Sequence, residues 1–102
     1  MNQMLHSIVL LSAASATGSG MSCQRSGRYC LSVAGTFGDA TVGLQMLGPD
    51  GATWIDVEDS AGAVAITSAK ARLVYLPAGA FRATITGGSG VSLHARLDRV
   101  ID

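Results

Sequence analysis

Only two side chains in this sequence, His6 and His94, have an ordinary pKa suited to proton transfer near neutral pH. Neither stands near a G-x-S-x-G nucleophile elbow. A Ser-His-Asp triad is a spatial arrangement and leaves no linear trace. His94 falls on the polar side of an alternating segment, where a solvated or interface role is the ordinary one. Asp56, Glu58 and Asp59, with Asp50 nearby, form the one acidic cluster. They lack the D-x-[DN]-x-[DN]-G-x₅-E spacing of a calcium loop, and the expected role is a solvated turn. Gly87-Gly88-Ser89-Gly90 lacks the Lys-Ser/Thr that completes a phosphate cradle. Cys23 and Cys30 match no zinc or C-x-x-C spacing. Two readings stand for them: a disulfide between neighbouring strands, and the preferred one, buried free thiols packing as small apolar groups. Trp54, the single tryptophan, either plugs one end of the core or sits at an interface, with the core preferred. The expectation is a chain with no catalytic residue, cofactor or metal, and no enzymatic activity.

The elements that position these residues are short strands between glycine-rich turns. Ser7 to Leu11 reads as a first strand, followed by a small-residue loop over 12–20. Gly27 to Ala34 alternates, with Tyr29, Leu31 and Val33 on one face and Arg28, Cys30 and Ser32 on the other. Thr41 to Leu47 turns Val42, Leu44 and Met46 inward, and Gly48-Pro49-Asp50-Gly51 is a strong turn. Thr53 to Val57 and Val64 to Thr67 follow as strands. Ala71 to Leu76 is apolar on both sides, as in a central or sandwich-buried strand. Phe81, Ala83 and Ile85 alternate with Arg82, Thr84 and Thr86. Gly87 to Gly90 reads as a hairpin loop, and beyond it Val91, Leu93, Ala95 and Leu97 alternate with Ser92, His94, Arg96 and Asp98. Helix is disfavoured over 60–72 by Gly62, Val64, Ile66 and Thr67. The fold class expected is all-β: a compact antiparallel β-sandwich or jelly-roll-like barrel of about eight short strands.

One pattern occurs twice. Gly27 to Gly35 and Gly79 to Gly87 both read Gly-x-aromatic-x-apolar-polar-aliphatic-x-Gly. The structural reading is two similar hairpins, one in each half of a sandwich. Chance convergence of two ordinary hairpins is the alternative.

A length of 102 residues fits one domain, organised as a strand or arm and loop over 1–20 and a β-sandwich core over 21–102. Apolar residues make up 48% and charged residues only 14%. Seven basic residues balance seven acidic ones, so the surface repels itself weakly and favours association. The basic residues are spread along the chain, without the footprint of a nucleic-acid binder. No apolar run of roughly 18 residues is present for a membrane-spanning helix. Ala14-Ser15-Ala16 looks like a signal-peptidase site, but the aliphatic run Ile8 to Leu11 is short and no Lys or Arg precedes it. The first-strand reading is therefore preferred over a secretory signal.

Three stretches, Thr41–Trp54 (TVGLQMLGPDGATW), Leu76–Gly87 (LPAGAFRATITG) and Leu10–Gly20 (LLSAASATGSG), resemble segments of small β-sandwich virion proteins of tailed bacteriophages. Each alone is weakly specific; their combination and order in so short a chain are more so. The resemblance implies a structural role in the virion, in first place a head decoration (cement) protein. Such a protein sits on the outer capsid surface and bridges neighbouring major capsid subunits, often as a homotrimer. No binding residue carries over, because the matching positions are core and turn positions. Exposed strand edges that another chain extends are the expected contact. An apolar N-terminal arm with Met4, Leu5 and His6 is the expected partner-contacting segment. The alternatives are another phage component of tail, fibre or head-tail junction, and a secreted or periplasmic β-sandwich that binds carbohydrate or protein.

Overall fold

The computed structural model describes residues 7–23, 25–59 and 62–100. Strands form where apolar and polar residues alternate, and each buries one side. In chain order they are β1 (Ser7–Ala14), β2 (Met21–Cys23), β3 (Gly27–Thr36), β4 (Thr41–Leu47), β5 (Trp54–Asp56), β6 (Glu58–Asp59), β7 (Gly62–Ala63), β8 (Ala65–Ile66), β9 (Lys70–Leu76), β10 (Gly79–Thr86) and β11 (Ser92–Arg99). No helix occurs among the described residues.

Two antiparallel sheets face each other. The first has the order β1-β11-β3-β9, and the second β2-β10-β4-β5, with β8 also paired to β4. β5 and β8 behave as one interrupted strand. β5 pairs with Gln45 to Leu47 and β8 with Val42 and Gly43, and between them the Val57 amide donates to the Leu44 carbonyl at 2.9 Å. The small β6–β7 hairpin leaves the sheet from this interruption, pinned at its base by the Val64 amide on the Val57 carbonyl. Counted this way the chain is an eight-position jelly roll, in which β1 to β4 and β9 to β11 pass back and forth between the sheets.

The core lies between the sheets. Tyr29, Leu31 and Val33 of β3 face inward with Leu93, Ala95 and Leu97 of β11, and with Ile8, Leu10 and Leu11 of β1. The second sheet contributes Val42 and Leu44 of β4, and Phe81 and Ala83 of β10. Met46 and Ile85 pack against its margin. No polar or charged residue is buried among the described residues.

Two expectations are corrected. Gly87 to Gly90 is not a hairpin loop: β10 belongs to the second sheet and β11 to the first, so the segment is an arch that crosses the core. The segment between β3 and β4 crosses in the same way, in the opposite sense. The repeated Gly-to-Gly pattern therefore marks two arch-forming strands, β3 and β10, and not two hairpins. Alternation tells each strand which side to bury, but it does not assign the strand to a sheet. The second correction concerns β9, which is an edge strand. Val74 and Leu76 are buried, while Leu73 and Tyr75 face solvent.

The two arches touch. The Ser89 amide donates to the Gly38 carbonyl at 3.0 Å, and a Cβ on Gly38 would lie 2.0 Å from the Ser89 carbonyl oxygen. Gly38 also has φ +55, a conformation that side chains disfavour. The expected cost of Gly38→Ala is about 3 kcal/mol or more, from overlap and backbone strain together. Gly51→Ala, where φ is +72 but nothing lies within 4 Å, supplies the control and costs about 1 kcal/mol. Urea denaturation of both variants measures this. Equal losses would mean that the contact between arches adds nothing beyond backbone conformation.

Candidate functional site

Along the strands of the first sheet, residues alternate between the core and an outer face. The register aligns that outer face into rows. Ser7, Asp98, Cys30 and Leu73 form one row, and Val9, Arg96, Ser32 and Ala71 form the next. Farther rows pair Arg28 with Tyr75, and Ala34 with His94. Beyond Arg28, the small side chains of Cys30, Ser32 and Ala34 run down β3, between Leu73 on one flank and the polar residues of β11 on the other.

This face carries the three most exposed large apolar side chains among the described residues: Tyr75 at 78%, Leu73 at 56% and Val9 at 54%. Two of its charges, Arg96 and Asp98, are already paired. Arg96 Nε donates to Asp98 Oδ2 at 2.8 Å, and the Ser7 hydroxyl donates to Asp98 Oδ1 at 2.6 Å. The Arg96–Asp98 pair thus presents no net charge to an approaching surface. Beside it, register shifts in β1 after Val9 and after Leu11 draw that strand away from β11. They open a shallow groove of about 330 Å³, lined in part by Ser12, Ser32, His94 and Arg96.

His94 accepts the Ala13 amide on Nδ1 at 3.3 Å, so it holds the bulge in β1, where Ala13 has φ +48. No hydroxyl is hydrogen-bonded to it among the described residues. Asp56 accepts Gln45 Nε2 at 3.1 Å, and no group of three potential metal ligands occurs among the described residues. Cys30 is a free thiol, half-buried on the outer face and not in the core as expected. It opposes Asp98 and Leu73 across its neighbours, and that position follows from the phase of β3 set by Tyr29 and Leu31.

Trp54 is also corrected. It lies half-buried on the outer face of the second sheet, outside the core cluster. Ile55, the next residue, opposes the core-margin Met46, which leaves Trp54 on the other side of the strand. The Arg82 guanidinium sits 4.6 Å from its ring centroid. Gly20 accepts the far edge of the indole, where a Cβ would approach Cη2 to 2.7 Å. Arg82 Nε donates to Gln45 Oε1 at 2.9 Å, and Gln45 passes the chain on to Asp56.

The strand edges are poor templates for a further strand. β1 is interrupted by its register shifts, and β2 and β5 have three residues each. β9 carries Lys70 and Arg72 on its core-facing side and ends before Pro77. Bulges, shortness and inward charges are the usual devices that stop edge-to-edge pairing. Edge extension, the expected contact, would therefore meet guarded edges. Met4, Leu5 and His6, the expected partner contacts, lie outside the described residues. The signal for the outer face was present in the two-sided apolar run Ala71 to Leu76, whose exposed half belongs to this surface.

Compared with models of known protein families, with curated proteins and with solved structures, the chain matches none.

The turn before Trp54 supplies a pH test. Asp50 is held well below its ordinary 3.8, at about 2, first by the Thr53 hydroxyl, then by the Thr53 and Ala52 amides. A depressed carboxylate stabilises the fold above its unfolded pKa and ceases to do so as pH falls through the folded value. The turn's contribution should thus be complete above about pH 5 and fade toward pH 2. A carboxyl NMR titration should find Asp50 ionised at pH 3, and Thr53→Val should move its midpoint up. An unchanged midpoint in that variant would remove the hydroxyl as the main cause.

Proposed function

We propose that the chain is a non-enzymatic virion structural protein, in first place a capsid decoration or cement protein on the outer capsid surface. It would bind the major capsid protein, stabilise neighbouring subunits and self-associate, with no role for nucleic acid or membrane. The observation that carries this reading is the outer face of the first sheet. A jelly roll with guarded edges, no buried polar residue among those described and few charges keeps its most exposed apolar side chains together on one rigid face. Exposed apolar surface of this kind marks interaction sites. Jelly rolls serve as capsid domains, but also as lectins and cupins, so the fold itself does not choose. The phage resemblance supports the choice: its segments fall on the end of β1 with the following loop, on β4 with its tight turn, and on β10.

A second reading, a secreted carbohydrate-binding module, rests on Trp54, Arg82, Gln45 and Asp56. An aromatic face beside planar polar groups is the chemistry that receives a sugar ring. Glycan titration monitored by Trp54 fluorescence tests it, since a bound ring would perturb the single indole.

The test of the first reading is co-sedimentation of the purified chain with shells of the phage that encodes it. The expected result is saturable retention on shells and a rise in the temperature at which they come apart. A chain left wholly in the supernatant would overturn the decoration role.

A further inference from the structure

We infer that the outer face of the first sheet packs against the same face of a second copy, about a two-fold axis that crosses the strands between the Asp98 row and the Arg96 row. Such an axis lays each row over the other row of the second copy. Asp98 then stands over Arg96 of the second copy, and Arg96 over its Asp98. Leu73 stands over Ala71, and Cys30 over Ser32, so a large side chain meets a small one on the β9 flank. Both charge and size are thus complementary under one operation, and both follow from strand register alone.

Face-to-face packing also suits the sheet itself. Stacked sheets lie about 10 Å apart with strand directions within about 30°, which an axis perpendicular to the strands permits. Pairing through the β9 edge is opposed by Lys70 and Arg72, whose positions in the strand guard it. Four strands at about 4.8 Å spacing and about eight residues of length give a footprint of roughly 500 Å² per copy. That is close to the lower bound of specific interfaces, so the association is concentration-dependent. Neither charge is covered unpaired, because Asp98 is already bonded to Arg96 and Ser7 within its own chain. Stacking two such pairs in opposite sense makes a square of alternating charge.

The experiment is sedimentation velocity over a wide concentration range on the chain and on three variants. The parent should show a monomer–dimer equilibrium. Arg96→Asp alone, and Asp98→Arg alone, bring like charges together across the axis and should weaken association by at least about tenfold. The double variant Arg96→Asp/Asp98→Arg restores alternation and should recover the dimer. Both positions are solvent-accessible, and circular dichroism with thermal melting checks that each variant folds. The inference is overturned by a parent that stays monomeric, by a trimer or open polymer, by single reversals that leave the dimer intact, or by a double variant as weak as the singles when all are folded. The outcome is separable from the virion reading. The dimer covers the face on which the virion reading rests, so a second copy and a shell compete for it; a dimer that ignores shells leaves the inference standing, and a monomer that binds them overturns it alone.

Discussion

The contact between the two arches organises the molecule. β3 leaves the first sheet for the second, and β10 leaves the second for the first. β3 lies beside β11 and β4 beside β10, so each crossing is clamped by the strands of the other. Gly38 and Ser89 meet where the two crossings approach, at a separation that excludes a side chain on Gly38. Once those four strands are locked, the centre of both sheets exists. The remaining strands can only add outside it: β1 and β9 to one sheet, β2 and the β5–β8 pair to the other. Tyr29 and Phe81 hold equivalent places in the two crossing strands, and both are fully buried. Two large aromatics, one from each sheet, therefore supply much of the apolar burial at the locked centre.

Fixing the centre leaves two edges per sheet, and the chain treats them differently. β1 is bent away by its register shifts, β2 and β5 are too short to template a partner, and β9 carries cations toward its inner side. Each device costs some pairing in the native sheet and removes a route to uncontrolled polymerisation. The low charge of the surface makes such guarding necessary, because self-repulsion does little to keep copies apart. Association through a face is self-limiting in a way that association through an edge is not.

Much of this architecture can be read from residue order. The inward sets of β3, β4, β10 and β11 follow from period-2 alternation, and the turn at Gly48 to Gly51 follows from Pro49 and the side chain of Asp50. Alternation describes one strand at a time, however. Whether Gly87 to Gly90 returns a strand to its neighbour or throws it across the core depends on the Gly38 contact, which lies about fifty residues away in sequence. The two-sided apolar character of β9 was legible, but a buried central strand and an exposed interface edge share it. Trp54 and Cys30 were misplaced for one reason: an apolar side chain was assigned inward by its chemistry, when the phase of its strand directs it outward. The candidate surface was legible in pieces, as the polar side of β11 and the two-sided run of β9, and its Arg96–Asp98 pair becomes significant only beside Leu73 and Tyr75, which register brings within two strands.

The two outer faces differ in how they meet solvent. The second sheet covers itself: Trp54 lies across toward Gly20, Arg82 stacks on the indole, and Gln45 ties Arg82 to Asp56. Its aromatic ring and its polar groups are in contact with one another. The first sheet has no such cover. Its Arg96 and Asp98 charges are paired in place, but Tyr75, Leu73 and Val9 stand open, with the small Cys30, Ser32 and Ala34 of β3 on the same face. Covering large apolar side chains is worth about 25 cal/mol for each Å² removed from water, so the uncovered face has the larger drive toward contact. A Ser or Thr at position 73 or 75 would satisfy a solvent-facing strand position at no cost to the core, since Val74 and Leu76 alone bury β9. Leucine and tyrosine at those places instead leave the first sheet with an uncovered apolar face.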